Sequence, residues 1–278
     1  MLRFLSLSSG SCGNCYFLSD GKSGILIDAG VSLRRLKKTL AEHGLGLDSF
    51  QAILVTHDHL DHIRHLGSYC KHLRKPVYAT HTLNIALLNH TFTMDYIGSC
   101  CHELPDSGAL RIPLGKDIPE EECPLVNYFV VPHDATQTVG YFIDWGGRKF
   151  FLMTDAGRMT DEAMSYAGKA DAVVLESNYD PGMLIGGPYT HDLKMRICQG
   201  FGHLSNDECA SAITMFWHPG LRHLFLCHLS ENNNTPDLAF SASADALKSI
   251  RVEGGLTAKE ITDLQTLPRN RASAMFEL

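Results

Sequence analysis

The 278-residue sequence has no long hydrophobic run, since none approaches the roughly 20 residues that a membrane-spanning helix needs. Its first residues also lack the charged and then apolar layout of a secretory signal. Internal repeats, low-complexity tracts and clear linkers are missing as well. These features exclude an integral membrane protein, a disordered chain, collagen and a coiled coil. We expect a cytoplasmic globular protein without membrane contact, in a single domain over residues 1–278.

Basic residues are scarce, because 24 Lys and Arg stand against 31 Asp and Glu and give a net charge of −7. A chain of this charge is a poor general binder of polyanions. One basic cluster, Arg34, Arg35, Lys37 and Lys38, fits either a solvated helix face or a phosphate contact. The net charge therefore does not exclude a nucleic-acid substrate.

The cysteines show little pattern. There are nine, and the Cys12–Cys15 pair is not matched by a second pair at the spacing of a zinc site. An odd number of scattered cysteines indicates reduced thiols, as in a cytoplasmic protein. The fifteen histidines, by contrast, form several short clusters, which favours a site that uses neutral imidazole as a ligand.

Predicted strands and helices alternate along the chain, which indicates a layered α/β fold. Apolar runs predict strands at 2–7, 15–18, 25–28, 52–56, 125–131, 140–145, 149–154, 172–175 and 223–227. Helical spacing predicts a helix between Ser32 and Gly44, and others at 62–73, 82–89, 160–167, 207–217 and 236–249. Gly146 and Gly147 predict a hairpin turn. Residues 105–124 fit a surface loop, and the tail after Gly254 shows no clear pattern.

The strongest local feature is the segment 57–62, HDHLDH, which directly follows the strand at 52–56. In extended backbone, His57 and His59 point to one side. The turn that follows brings Asp61 and His62 to a neighbouring position. Imidazole and carboxylate groups suit zinc and related metals, so the segment predicts a metal site. The alternative is a solvated, histidine-rich loop.

Four further polar residues, Asp28, His133, Asp155 and His228, each follow an apolar run. Open α/β sheets place functional groups at such strand ends. One such residue alone would fit a hydrogen-bonded structural group. Four of them together with the histidine segment indicate one shared site.

In this order and context, these residues resemble the five motifs of the metallo-β-lactamase superfamily. The resemblance implies an αββα four-layer sandwich with a two-metal site at one edge. The ligands would be His57, His59 and His133 for one metal and Asp61, His62 and His228 for the other, with Asp155 bridging. Asp28 would orient the ligands from behind. Two such metals, zinc or manganese, support hydrolysis.

Residue 155 is an aspartate rather than a cysteine, which disfavours the antibiotic-hydrolysing branch that has a cysteine ligand. Glu176 and His203 resemble elements of the tRNA 3′-processing endonucleases. There, the resemblance implies, the glutamate orients a histidine that protonates the departing sugar oxygen. The alternative is a surface acid and a histidine near a helix cap. With Asp28 and Asp61, these two are the candidate catalytic residues.

The spacing of the motifs leaves little room for insertions. The segment between His133 and Asp155 is too short for a protruding tRNA-binding arm, and that between Asp155 and His203 is too short for a β-CASP nuclease domain. The chain is similar to the YycJ/WalJ-type subfamily at residues 8–15, 131–135, 193–197, 202–206 and 228–236. This implies a small metal-dependent 5′→3′ exonuclease on DNA, with RNA as the other candidate substrate.

The Gly- and Ser-rich loop 8–14 could turn its N–H groups towards a phosphate, or it could be a tight turn. The candidate substrate contacts are Ser9, Ser11, Asn14, Lys194, Arg196, Ser205 and Asn206. A rival function is a glyoxalase-II-like thioesterase or a lactonase, which the seven ligands alone would fit equally well. A non-catalytic binding module is the second rival. The family resemblance also allows a homodimer.

Overall fold

The computed structural model describes residues 1–106 and 109–278, and within them the chain forms two seven-stranded mixed sheets. The first sheet contains, in spatial order, β14 (Phe276–Glu277), β1 (Arg3–Ser8), β2 (Cys15–Ser19), β3 (Gly24–Ile27), β4 (Ala52–Leu54), β5 (Val77–Ala79) and β6 (Cys101–Glu103). The second contains β13 (Asp263–Thr266), β12 (His223–Cys227), β11 (Ala172–Glu176), β10 (Arg148–Met153), β9 (Thr138–Trp145), β8 (Leu125–Val131) and β7 (Leu110–Arg111). In both sheets, four neighbouring strands run parallel, β3 to β6 and β10 to β13.

The two sheets share one apolar layer. Phe4 of the first sheet packs on Phe150 and Phe225 of the second, with ring centroids 5.3 and 5.0 Å apart. All three rings are fully buried. Because side chains alternate along a strand, the residues between them face the outer layers. Packing in this inner layer therefore holds the two sheets in a defined position relative to each other.

Helices cover both outer faces, so the predicted αββα four-layer sandwich is confirmed. On the first sheet lie α1 (Leu33–Glu42), α2 (Leu60–Ile63), α3 (Leu66–Leu73) and α4 (His81–Asn89). On the second lie α5 (Asp161–Ala167), α8 (Asn206–Phe216), α9 (Pro236–Ser249) and α10 (Ala258–Ile261). The short helices α6 (Pro181–Gly186) and α7 (His191–Cys198) lie along the connection from β11 to α8. None of the helices in the described ranges has the length and hydrophobicity that crossing a bilayer requires.

The predicted helix at 62–73 is confirmed over α3, but a break after Ile63 separates its first residues, which belong to α2. The carbonyl of Asp61 accepts from Asn14 N–H at 2.7 Å, and the carbonyl of His62 accepts from Ala29 N–H at 2.7 Å. Both acceptors are therefore used by neighbouring loops rather than by the next helical turn. His65 N–H in turn donates to the Ala29 carbonyl at 3.1 Å. Tertiary hydrogen bonds thus overrule the helical pattern.

Other local predictions are confirmed. The Ser32 side chain caps α1 by accepting from Arg35 N–H. Gly146 and Gly147 form the β9–β10 turn, both with positive φ.

The 105–124 segment is not all loop, since β7 lies inside it and pairs with β8. Ser107 and Gly108 of that segment lie outside the described residues.

The C-terminal segment, for which the sequence showed no pattern, contains α10, β13 and β14. The last of these joins the edge of the first sheet beside β1. Strands of two to four residues such as β5, β6, β13 and β14 are too short to show a period, which is why they were missed.

Candidate metal and catalytic site

The carboxyl ends of strands from both sheets meet at one edge of the sandwich. Asp28 directly follows β3, and His228 directly follows β12. Asp155 follows β10 after one intervening residue, and the HDHLDH segment follows β4 after two. His133 arrives from β8. Parallel strands end at the same edge of a sheet, so residues far apart in sequence become neighbours here. The structure therefore brings together all seven predicted ligand residues.

The first group consists of His57, His59 and His133, whose candidate ligand atoms lie within 4.8 Å of one another. His133 Nε2 lies 3.3 Å from His59 Nδ1. The group combines a segment from the first sheet with a strand end of the second. Three imidazoles at this spacing match the donors of a transition-metal site.

The second group consists of Asp61, His62, Asp155 and His228, again within 4.8 Å. His62 Nε2 lies 3.2 Å from Asp155 Oδ2, and His228 Nε2 lies 3.2 Å from Asp61 Oδ2. Asp155 also extends towards the first group, because its Oδ1 is 3.9 Å from His133 Nε2. Its carboxylate is thus placed between the two groups.

The outer ring nitrogens of three of these histidines have hydrogen-bond acceptors. His62 Nδ1 donates to Asp28 at 2.7 Å, and His133 Nδ1 donates to the Gly202 carbonyl at 2.8 Å. His59 Nε2 donates to the Asp134 carbonyl at 3.2 Å. These acceptors hold each proton on the outer nitrogen and leave the other nitrogen's lone pair facing the cluster.

His57 tests whether the cluster fits a metal. Its Nε2 is buried and finds no hydrogen-bond partner among residues 1–106 and 109–278. Burial holds the pKa of His57 well below its usual range, so the ring is neutral, as a metal ligand must be. A buried acceptor without a partner is costly unless a cation takes the place of a donor. The nitrogen and carboxylate donors therefore fit a pair of divalent metal ions.

The backbone at the strand ends is strained. Asp28, Asp155 and His228 have φ values of +63°, +52° and +51°, a left-handed region that side chains other than glycine rarely adopt. Such residues persist where the surroundings hold them in place, and they concentrate at functional sites. Here each left-handed residue turns its side chain sharply from the strand end into the cluster. The strain was not visible in the sequence.

Glu176 and His203 lie beside the second group. Glu176 is fully buried; its Oε2 accepts from Ala156 and Leu204 N–H, and its Oε1 accepts from His203 Nδ1 at 2.7 Å. Burial lowers the pKa of His203, but the charge of Glu176 and its hydrogen bond outweigh burial and raise it above the ordinary value. His228 Nδ1 lies 3.4 Å from the same Oε1. Glu176 therefore favours the protonated form of His203, and the pair lies against the candidate ligand His228.

A cavity of about 300 Å³ opens over this cluster. Its polar floor is formed by His59, Asp61, Asp155, His203 and His228. His203 lines the cavity, and because its Nδ1 is bound to Glu176, Nε2 is the ring nitrogen available to a ligand. A volume of this size belongs to the range of small-molecule sites.

Two candidate substrate contacts from loop 8–14 lie inside the protein instead. Ser9 is fully buried; its hydroxyl bonds to Tyr16 Oη at 2.9 Å and accepts from His228 N–H at 2.9 Å. Asn14 is also fully buried, and its amide donates to Asp61 Oδ2 at 3.1 Å. Both side chains therefore hold metal-ligand candidates in place rather than face a substrate, which corrects the expectation.

Ser205 and Asn206 are corrected in the same way. Ser205 is the N-cap of α8 and accepts from Glu208 N–H. Asn206 is buried and bonds to Ser177 and Asn234. Lys194 lies outside the cavity, because its Nζ donates to the Ile185 carbonyl at 2.7 Å and its side chain lines a neighbouring groove.

Ser11 and Arg196 are the two expected contacts that line the cavity. Arg196 forms an ion pair with Asp134, and the Asp134 carboxylate lies 3.4 Å from His133 Nε2. Asp134 was not singled out from the sequence, although it directly follows His133. Its position beside a candidate ligand was the available signal.

Sequence reasoning also missed Asn178, Tyr189 and the apolar residues of α7 that line the cavity. Asn178 donates to the His228 carbonyl at 2.8 Å and contacts its Nδ1 at 3.1 Å. Tyr189, Leu193 and Ile197 recur every four residues, a helical spacing that could have revealed them.

With this geometry established, known proteins can be compared. The sequence profile of the beta-lactamase superfamily domain matches residues 24–228. The chain is 31% identical to exodeoxyribonuclease YycJ of Bacillus anthracis over 247 residues, 89% of each chain, and 31% identical to exodeoxyribonuclease WalJ of Streptococcus pneumoniae over 257 residues, 92% of each chain. Its structure is similar to the Zn²⁺-bound PqqB from Methylobacterium extorquens, with a TM-score of 0.69, 14% identity and coverage of 99% and 100% of the two chains.

The paired ligand groups at the edge of an αββα sandwich define a class of metal-binding proteins, and the profile match covers most of the chain. The protein belongs to the metallo-β-lactamase superfamily, together with these YycJ/WalJ relatives. The fold and the histidine–aspartate cluster indicate that it binds divalent metal ions.

Proposed function

We propose that the protein is a dinuclear-metal-dependent phosphodiester hydrolase that acts on DNA as a 5′→3′ exonuclease. The observation that carries the proposal is the hydrogen bond between the buried Glu176 and His203, beside the two ligand groups. A sugar oxygen is a poor leaving group until it is protonated, and a positioned imidazolium can supply that proton.

Each part of the site has a role in this reaction. One metal would be held by His57, His59 and His133 and the other by Asp61, His62 and His228, with Asp155 shared between them. When bound, the two metals lower the pKa of water and stabilise charge on the phosphate. Glu176 keeps His203 charged and oriented, and His203 Nε2 donates the proton to the departing oxygen. Asp28 holds His62 in the required tautomer.

The relatives support DNA as the substrate, because both are named exodeoxyribonucleases and match nearly the whole chain. RNA is the other substrate to be tested. Zinc is the metal that best suits these donors, and the zinc-bound structure of the same fold agrees with it. Manganese is the alternative working ion.

The connections between the motifs support a small enzyme. Between His133 and Asp155 the chain forms only the β9–β10 hairpin, and between Asp155 and His203 it forms α5, β11, α6 and α7. We therefore infer a single domain over residues 1–278, without a tRNA-binding arm or a β-CASP insertion. All nine cysteines are free thiols, as expected in the cytoplasm. We also propose a homodimer, on the family resemblance alone.

The Glu176–His203 pair also weighs against a thioesterase, because a thiolate leaving group needs no proton donor. The complete set of ligand residues weighs against a binding module without catalysis. The alkoxide leaving group of a lactone does need a proton, so it is the relatives named as exodeoxyribonucleases, rather than the Glu176–His203 pair, that weigh against a lactonase.

The test is a nuclease assay on end-labelled single- and double-stranded DNA and RNA, with zinc or manganese. The control is the Asp61→Ala/His62→Ala double variant, which removes two ligands. Stepwise loss from 5′ ends, absent in the control, would support the proposal. No cleavage of any nucleic acid by protein shown to hold two metals would contradict it.

A further inference from the structure

Three apolar side chains outside the ligand groups form one wall of the cavity: Tyr189, Leu193 and Ile197. Leu193 and Ile197 lie four residues apart and so share one face of α7, while Tyr189, in the segment before the helix, lines the same cavity; we call these three residues the stripe. On the other face, Met195 and Lys194 line a separate groove. The cavity thus has a polar floor and an apolar wall.

The stripe is held on the His203 side of the cavity. His203 N–H donates to the Ile197 carbonyl at 3.0 Å. Gly202 lies so close to the end of α7 that a Cβ there would be 2.0 Å from the Ile197 carbonyl oxygen. Tyr189 Oη accepts from Asn232 at 2.9 Å, which joins the other end of the stripe to the loop after β12. The wall therefore has a defined position relative to the proton donor.

The stripe is also open to solvent. Leu193 is 37% exposed, and Tyr189 and Ile197 are half-buried. Apolar surface beside a polar reaction centre is typical of a site that binds the apolar part of its ligand. Nucleic-acid bases of any sequence stack on aromatic side chains such as Tyr189, and neighbouring aliphatic side chains add buried apolar contact.

Arg196 adds a charge at the rim of this wall. It precedes Ile197, is largely exposed, and is held over the cavity by its ion pair with Asp134. A guanidinium beside an apolar wall matches a phosphate beside a base. The cavity volume of about 300 Å³ is in the range of sites that hold a small ligand such as one nucleotide.

We propose that the stripe binds the base of the nucleotide that is released, with Arg196 contacting its phosphate. This inference rests on the proposed function, because His203 marks the side of the leaving group. The ligand class is a nucleoside monophosphate. No preference among the four bases is expected, since apolar contacts carry no hydrogen-bond code.

Calorimetric binding to the metal-loaded protein tests the stripe without relying on catalysis. The probes are dAMP and 2-deoxyribose 5-phosphate, which lacks the base. We expect dAMP to bind about tenfold more tightly, the lower range of base stacking. Leu193→Ala should remove most of this difference and leave binding of the sugar phosphate unchanged. The matched control is Met195→Ala, on the same helix but facing the neighbouring groove, which should change neither affinity.

Equal affinity for the two probes, or no detectable binding of dAMP at millimolar concentration, would overturn the proposal that the stripe binds the base. An equal loss of affinity for both ligands in Leu193→Ala would also overturn this proposal, because that result indicates a structural effect. Cleavage of DNA ends that carry an abasic terminal nucleotide separates the two proposals. Equal rates of cleavage on normal and abasic ends contradict only the proposal that the stripe binds the base. Binding of dAMP without cleavage of any DNA contradicts only the proposed nuclease activity.

Discussion

Glu176 Oε1 accepts a hydrogen bond from His203 Nδ1 at 2.7 Å, although the two residues lie 27 positions apart. Glu176 ends β11 and His203 lies just before α8, so this contact joins a strand of the second sheet to the segment that carries the proposed proton donor. The same carboxylate accepts from the N–H of Ala156, the residue after Asp155. One buried carboxylate therefore positions the donor relative to the ligand groups, and several predictions depend on it.

Replacing His203 with alanine should lower DNA cleavage by about 10²- to 10⁴-fold, the usual contribution of a general acid. For a substrate with sulphur in place of the departing sugar oxygen, the cleavage rate should fall far less in His203→Ala, because a thiolate leaves without a proton. The measurement compares kcat on both substrates, with metal content as the control for an intact site. An equal loss on both substrates would show that His203 does not act as the proton donor.

The rate should also depend on pH through His203. The charge and hydrogen bond of Glu176 raise the pKa of His203 despite burial, so the donor stays protonated at low pH. The rate should then fall as pH rises through that raised value. Glu176→Gln removes the negative charge, lowers the pKa of His203 and should move the alkaline fall to lower pH. The measurement is kcat against pH with saturating metal, and the exposed Glu162→Gln on α5 is the control. An unmoved alkaline limb in Glu176→Gln would contradict the coupling.

Asp28→Asn should weaken metal binding at the second ligand group. Asp28 is fully buried and accepts from Thr56 N–H, Thr56 Oγ1 and His62 Nδ1. Asparagine tolerates the left-handed backbone, but its amide N–H group would meet another donor. Loss of such an outer partner typically costs about 10- to 100-fold in metal affinity. Metal per protein after dialysis against a competing chelator measures the effect. Asp20→Asn, in a surface turn, is the matched control, and equal retention in both variants would count against the role of Asp28.

Substitutions of Arg196 and Lys194 should differ in their effect on DNA binding, although both residues lie on α7. Arg196 lines the cavity, whereas Lys194 is bound to the Ile185 carbonyl on the far side. Arg196→Ala should raise KM for DNA about tenfold and reduce the slope of its salt dependence by about one, as expected for one lost phosphate contact. Lys194→Ala should change KM several-fold less. Titrations of both variants at several salt concentrations make the comparison, and a similar loss in Lys194→Ala would restore the sequence-based expectation.

The ligand residues were predictable because each follows an apolar run or lies in one compact segment. His57 to His62 are encoded within six residues, and Asp155 and His228 mark the ends of buried strands. Strand ends can be read from hydrophobic patterning, and residue chemistry limits the ligands to imidazole and carboxylate. The αββα fold class followed from the same alternation together with the family resemblance.

The substrate contacts were harder to predict from the sequence, because the exposure of a side chain depends on the tertiary structure. Ser9 and Asn14 belong to a Gly- and Ser-rich loop that looks suited to phosphate, yet both are buried and bond to His228 and Asp61. Lys194 and Arg196 are both basic, and only the orientation of α7 separates their roles. No local pattern distinguishes a side chain that supports a ligand from one that meets the substrate.

The sequence by itself determined the chemistry of the site: which groups bind metal, in what order they occur, and on which strand ends they lie. The tertiary structure alone decided that α2 stops at Ile63, because loop N–H groups take the carbonyls of Asp61 and His62. It also decided that Glu176 meets His203 and that α7 turns Leu193 rather than Met195 to the cavity. Residue type and spacing act over a few positions, whereas these contacts form only when the two sheets pack and bring distant strand ends together.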